Sequence, residues 1–374
     1  MIRVLHSVSN MDRAGIETML MNYYRNIDRE KLQFDFIVNK PKKGDYDDEI
    51  RKMGGNIYLS PGLNPIHYND YMKFVSEIVR NNSDIKIVHA HNEAMGLYAL
   101  NGAKKAGIDV RIAHAHNTKI VRDYKWPLKM FCKAFLPYSA TDLWACGNEA
   151  GEYFFGKNNW RLRGMVMHNA IDTEKFGFSE SVRKAVREKY GLTGKTVIGH
   201  VGRFNVQKNH TRLLEIFSRF VKTDPNAVLF LAGEGELMDK MKEKAKALKI
   251  SDKVIFAGLL QNTEEIYQAM DLFILPSLFE GLPVVAIEAQ ASGLPCVFSD
   301  KVTDEAILSG NAFSVSLGDP DGVWCEKIMQ ALKKENNRPL GKETVKNAGY
   351  DIFSEAERIS SLYIKMAEQA YGRE

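Results

Sequence analysis

The sequence predicts an α/β protein built from two Rossmann-like, doubly wound domains in tandem. Three observations lead there. Short apolar runs of strand length alternate with amphipathic, helix-length stretches along the chain, the pattern of a parallel sheet crossed by helices. The alternation comes in two series, separated near Asn169-Ala170-Ile171-Asp172. The 374 residues are too many for one compact core and suit two α/β domains.

The first series opens at Ile2–Val8. A polar loop, Ser9 to Gly15, follows, and then an amphipathic helix from Ile16 to about Ile27. Phe34–Val38, Ile57–Leu59, Ile85–His89, Val110–His114 and Leu143–Cys146 read as further buried strands. Helical patterns lie near Asp70–Arg80, Ala94–Ala106 and Leu128–Phe135. The second series runs Val197–Val201, Val228–Leu231, Val254–Phe256, Leu272–Leu275, Cys296–Phe298 and Phe313–Val315. The expected domains are residues 1–170 and 171–353, facing a cleft, the kind of place ligands prefer. The final helix, about Ser354–Glu368, has a pattern compatible with packing on either domain, a return of 354–374 to the first included.

Composition excludes several classes. A formal net charge of +4 is too small to argue for nucleic acid. No apolar run approaches the ~20 residues of a membrane-spanning helix. The start of the sequence reads as a strand and lacks a signal-peptide layout. Cys132, Cys146, Cys296 and Cys325 are widely spaced and form no CxxC pair, so a reduced, cytoplasmic setting is expected.

The segment Asp271 to Asp300 is the most informative unit. An apolar run ends at Pro276-Ser277, a turn carries Glu280-Gly281, and a helix-like stretch from about Leu282 holds Glu288 before Gly293-Leu294-Pro295 stops it. Open α/β sheets bind ligands beyond the carboxyl ends of their strands, where this turn falls. Carboxylates beside the unpaired N–H groups of a helix start suit a ligand with both phosphates and hydroxyls. Gly202-Arg203 and Lys208 follow another strand, and cations there can hold a phosphate. Gly233-Glu234-Gly235 and Gly258 end two more strands and let a ligand approach the backbone.

In the first domain His-Ala-His-Asn occurs twice, at His89–Asn92 and His114–Asn117. Such pairs can ligate a metal or give a cleft a hydrogen-bonding, proton-transferring edge. The stretch Lys119–Lys133 sets five basic residues among aromatic and aliphatic ones, compatible with an anionic membrane surface or a solvated helix face.

These residues together resemble the retaining glycosyltransferases of family 4, which have the GT-B fold. The resemblance rests on Gly202-Arg203 with Lys208-Asn209, on Gly233-Glu234-Gly235, and on Asp271 through Pro295 with Glu280 and Glu288. It extends more weakly through Asn169–Asp172 and Gly15-Ile16-Glu17, so it spans nearly the whole chain. It implies that Arg203 and Lys208 hold a donor diphosphate, that Glu280 contacts the donor sugar, and that Glu288 binds the ribose. Gly15, Gly202, Gly233, Glu234, Gly258, Gly281 and Leu282 would complete the donor site. His116 matches the cleft histidine near the reacting sugar, with His91 and His114 as acceptor-side candidates. Ala14-Gly15 stands where the family commonly has two glycines. The resemblance further implies no metal and no cofactor beyond the nucleotide sugar.

The expected activity is transfer of a sugar from a nucleotide-diphosphate sugar, a UDP-sugar first, to a lipid-linked or polysaccharide acceptor in surface polysaccharide synthesis. The expected setting is cytoplasmic, with the inner membrane face contacted through 119–133, and nucleic acid is not an expected partner. The alternatives are a nucleotide-sugar epimerase on the same fold, a His-x-His metal hydrolase, and a nucleotide-sugar sensor without turnover. The Arg203/Lys208 and Glu280/Glu288 sets favour the transferase and the epimerase, because a hydrolase has no use for them.

Overall fold

The computed structural model describes residues 1–63, 67–120, 122–334 and 337–372. The chain divides into two compact units, residues 1–170 with 352–374, and residues 171–351.

The first unit holds a seven-stranded sheet: β1 Ile2–Ser7, β2 Leu32–Val38, β3 Ile57–Leu59, β4 Ile85–Ala90, β5 Val110–Ala115, β6 Asp142–Ala145 and β7 Gly164–Val166. Every pairing is parallel and the spatial order is 3-2-1-4-5-6-7. Helices cover both faces, so the strands bury residues on both sides rather than alternating in and out; β2 is buried along all seven residues. The order reverses between β1 and β4, and the loop Ser9–Gly15 leaves the sheet there.

The C-terminal helix, Ile352–Tyr371, belongs to this unit. Its Ile352, Ala356, Ile359, Tyr363 and Ala367 follow helical spacing and join the core formed by β1, β2 and the helix Gly15–Asn26. The sequence pattern gave this helix an apolar stripe without a partner. Complementary surface in the first unit supplies one.

The second unit holds six parallel strands: β8 Thr196–Val201, β9 Ala227–Ala232, β10 Val254–Gly258, β11 Leu272–Leu275, β12 Cys296–Ser299 and β13 Ala312–Val315. The order β10-β9-β8-β11-β12-β13 is the Rossmann order, with its switch point between β8 and β11. Phe204, Leu213, Phe217, Phe220, Leu229, Ile274 and Trp324 are among the residues of its core. The helix carrying Glu288 starts at Val284 rather than near Leu282, because Pro283 holds an extended backbone as its N-cap.

Candidate functional site

In the second unit the loops leaving β8 and β11 are tied together. Leu278 N–H donates to Gln207 O at 2.8 Å, and Asn209 Nδ2 donates to Pro276 O at 3.1 Å. Asn209 holds φ +54°, a left-handed conformation that asparagine tolerates better than most residues. This cross-tie fixes the side chains that matter. Lys208 Nζ donates to Glu280 Oε1 at 2.7 Å, and Gln207 Nε2 donates to Glu280 Oε2 at 3.1 Å. Both oxygens of a buried carboxylate are thus held. Arg203 lies apart from that pair, 71% exposed and 3.2 Å from Glu236.

The backbone around this group is open to a ligand. Gly233 sits at φ +135°, and a Cβ there would lie 2.1 Å from Gly202 O. Only glycine lets the ends of β8 and β9 come so close. The Lys208 stem passes over Gly202, where a Cβ would meet its carbons at 3.3 Å. Glu234 is exposed, and its carbonyl accepts from Phe204 N–H at 2.9 Å. Gly258 ends β10 at φ +68°, 3.7 Å from Glu234 Oε1 measured from a built Cβ. Gly281 and Leu282 are buried beneath the turn.

Glu288 is buried one helical turn inside Val284–Ala291 and accepts from the Tyr267 hydroxyl at 2.7 Å. Burial pushes its carboxyl up to about 7, against the lowering effect of the Tyr267 bond. Two buried imidazoles flank Arg203 and Lys208 in sequence, and His200 Nδ1 donates to Ile274 O at 2.8 Å. His200 Nε2 and both nitrogens of His210 are buried without a partner among the described residues, and His210 stacks on Phe204 at 3.9 Å.

A cavity of about 520 Å³ lies elsewhere, lined by Phe178, Glu180, Arg183, Asp271 and Arg338. Asp271 precedes β11, so this cavity opens at the opposite edge of the sheet from Lys208 and Glu280. Arg338 spends its guanidinium on the carbonyls of Ser292, Met270 and Tyr267, leaving little for an anion.

In the first unit the histidines form two hydrogen-bonded rows across neighbouring strands. His6 Nδ1 lies 3.0 Å from His91 Nε2, and His91 Nδ1 lies 3.0 Å from His116 Nε2. The Tyr363 hydroxyl lies 2.6 Å from His89 Nδ1, and His89 Nε2 lies 3.0 Å from His114 Nδ1. The rows stack: the rings of His89 and His91 are 4.1 Å apart, as are those of His114 and His116. Burial holds all five imidazoles below their ordinary range, His6 and His116 down to about 3. One nitrogen from each of His6, His89 and His91, and likewise from His91, His114 and His116, come close enough together to hold a metal ion. Their facing nitrogens are also paired one to one, as imidazole–imidazole hydrogen bonds require.

The asparagines of the two repeats are used as well. Asn92 accepts from Ser7 Oγ, and Asn117 Nδ2 donates to Glu93 Oε1 at 2.8 Å. Glu93 adopts φ +53°, and desolvation of its carboxyl end pushes it up to about 8, although the residue as a whole keeps some exposure. Gly15 starts the helix Gly15–Asn26, and a Cβ there would meet nothing within 4 Å, so the fold itself does not demand glycine.

Comparison with known proteins decides the family. Residues 182–348 match the family described as glycosyl transferases group 1. The chain is 35% identical over 379 residues to the Bacillus subtilis (strain 168) protein named "Putative glycosyltransferase EpsF", covering 99% of this chain and 98% of that one. It belongs to the group 1 glycosyltransferases.

A second relative is 27% identical over 304 residues, 75% of each chain: the Escherichia coli UDP-Gal:alpha-D-GlcNAc-diphosphoundecaprenol alpha-1,3-galactosyltransferase. Among solved structures, Anabaena Alr3699/HepE in complex with UDP matches with a TM-score of 0.80 at 14% identity, over 97% of this chain and 99% of that one. Sucrose-phosphate synthase from Thermosynechococcus elongatus matches at 0.78 and 15%, over 98% and 99%. At those identities the likeness shows the fold, which is GT-B.

For this glycosyltransferase, the structure brings Lys208 and Glu280 together, with Gly202 and Gly233 beside the loops that carry them. Arg203 and Glu234 stand at the exposed rim of the same loops. Sequence reading missed Gln207, His6, Glu93 and Tyr363. The first two sit inside or next to apolar strands and motifs already noted, and the asparagine ending each His-Ala-His-Asn was the available signal for Glu93. Tyr363 carried no signal at all, being 247 positions from His116 in the chain (363 − 116).

Proposed function

We propose that this glycosyltransferase moves a sugar, with retention, from a uridine-diphosphate sugar to a lipid-linked or glycan acceptor in surface polysaccharide synthesis. The observation that carries the reading is the Lys208–Glu280–Gln207 group at the switch point of the second sheet. A cation held against a carboxylate offers one charge to a phosphate and hydrogen-bond acceptors to sugar hydroxyls. The E. coli relative's name specifies a UDP-sugar donor and a diphosphoundecaprenol-linked acceptor, and HepE structures contain UDP and UDP-glucose; both support the choice of ligand class.

In this reading Arg203 and Lys208 neutralise the charge that grows on the departing diphosphate as the anomeric C–O bond breaks. The glycosyl centre becomes oxocarbenium-like, as in glycoside hydrolysis. Glu280 holds the donor sugar, Glu288 the ribose, and His116 lies at the sugar side. Burial holds His116 down to about 3, which makes it a weak base, so it serves as a hydrogen-bonding group. No metal or cofactor takes part, and fixed cations do its work.

The test is a panel of nucleotide-diphosphate sugars, with and without polyprenyl-diphosphate-linked glycan, in excess chelator. Acceptor-dependent transfer that keeps the anomeric configuration and is strongest with a uridine donor is expected. Donor isomerisation without acceptor would replace this reading with the epimerase, and loss of activity on chelation would end the metal-free mechanism.

A further inference from the structure

The row that ends at His114 has a direction, and Tyr363 sets it. A neutral imidazole carries one N–H and one lone pair, so each imidazole–imidazole bond needs one proton from one side. Among the described residues, the Tyr363 hydroxyl has one hydrogen-bond partner, His89 Nδ1 at 2.6 Å. Either direction leaves one buried donor unanswered. If the tyrosine accepted from His89, both its own O–H and the lone pair on His114 Nε2 would go unanswered, whereas a donating tyrosine leaves over only the His114 N–H. The hydroxyl therefore donates. His89 Nδ1 is then a lone pair and its proton sits on Nε2, 3.0 Å from His114 Nδ1. His114 Nδ1 accepts, so its proton sits on Nε2. That nitrogen is buried and has no partner among the described residues.

We propose that Tyr363 is a positioning residue that fixes His89 and His114 in the Nε2–H form, so that His114 offers a buried, unanswered N–H donor beside His116. The two rings stack at 4.1 Å and 13°. The parallel row, His6–His91–His116, has no hydroxyl at its buried end: His6 Nε2 is unpartnered, and both proton directions are open to it. One row is locked and the other is free. A buried donor without a protein acceptor fits an ordered water, which can relay its hydrogen bond towards a sugar hydroxyl. The sugar at the end of that relay rests on the transferase reading above; the tautomers do not.

The experiment is a long-range ¹H–¹⁵N correlation spectrum of histidine-labelled protein at neutral pH, in wild type and Tyr363→Phe. Neutral Nε2–H signals for His89 and His114 are expected in wild type. In the phenylalanine variant both row directions leave one orphan donor and one orphan acceptor, so the two tautomers should mix and Nδ1–H character should appear on both rings. Phenylalanine keeps the ring contacts with Trp144 and Phe34, and a melting curve checks that the fold survives. In transfer assays the variant should lose roughly tenfold in acceptor kcat/KM while the donor KM stays put. Nδ1–H on His114 in wild type, unchanged tautomers in Tyr363→Phe, or stoichiometric zinc on these histidines would each overturn the proposal. Correct tautomers in a protein that transfers no sugar would overturn only the transferase reading.

Discussion

Lys208 Nζ stands 2.7 Å from Glu280 Oε1, with the two side chains 15% and 7% exposed. The two residues are 72 positions apart and meet because β8 and β11 are neighbours at the sheet's switch point. In this glycosyltransferase the pair is mostly shielded from water, so each partner depends on the other more than a surface ion pair would.

Removing Lys208 therefore has two effects. Lys208→Ala takes away a charge-assisted contact worth ~1.5–3 kcal/mol, about a ten- to hundredfold loss in donor kcat/KM, and leaves Glu280 with Gln207. The melting temperature should fall as well. Arg203→Ala should cut donor use and leave stability alone, since its pair with Glu236 is exposed. Initial rates at sub-saturating donor, with melting curves, check both; wild-type rates in the two variants would remove the phosphate assignment.

The two glutamates should separate in kinetics. In the proposed reading Glu280 touches the sugar near the breaking bond, and Glu288 the remote ribose. Interactions that strengthen in the transition state raise turnover, whereas uniform binding lowers KM. Glu280→Gln should lose chiefly kcat and Glu288→Gln chiefly donor affinity. If Glu288→Gln cripples kcat with donor affinity intact, the division of roles is wrong.

Glu288 also ties stability to pH. Its folded pKa is raised from 4.5 to about 7, so the folded state binds this proton more tightly than the unfolded chain does. The contribution is fully present below about pH 4.5 and is lost as pH rises through about 7, on the order of 3 kcal/mol in all. Glu288→Gln should therefore gain on wild type between pH 5 and pH 8. Melting temperatures at those two values measure it, and parallel pH curves would refute it.

The stretch 119–133 is the proposed contact with an anionic leaflet; Val121 within it lies outside the described residues. Phe131, Phe135 and Tyr138 are exposed at helical spacing on Trp126–Ser139. Lys129 is spent on Asp123 at 2.7 Å, and Lys133, Arg122 and Lys125 lie over the rings of Tyr153, Trp126 and Tyr124. At ~1 kcal/mol per basic residue near the surface, vesicle co-sedimentation should depend on anionic lipid and fall with salt. Equal binding to neutral vesicles at every salt concentration would reduce the segment to a solvated face. Among the described residues no helix is long and apolar enough to cross a membrane.

The strands, their parallel arrangement and the Glu280–Pro295 motif were legible in the sequence because each is written locally. An apolar run bounded by turn residues names a buried strand, and Glu280 through Pro295 is one contiguous strand–turn–helix unit. The glycines at strand ends likewise declare where backbones come close, as Gly233 does against Gly202. Which side chains meet was decided by tertiary structure. Lys208 finds Glu280 only when β8 and β11 lie side by side, and the histidines pair along one row that crosses the ends of β1, β4 and β5 and another that joins β4 to β5. Tyr363 reaches His89 because an amphipathic helix from the far end of the chain packs on the first sheet. A period of 3.6 residues gives a helix its apolar stripe but carries no information about the surface that will cover it, since burial rewards any complementary face.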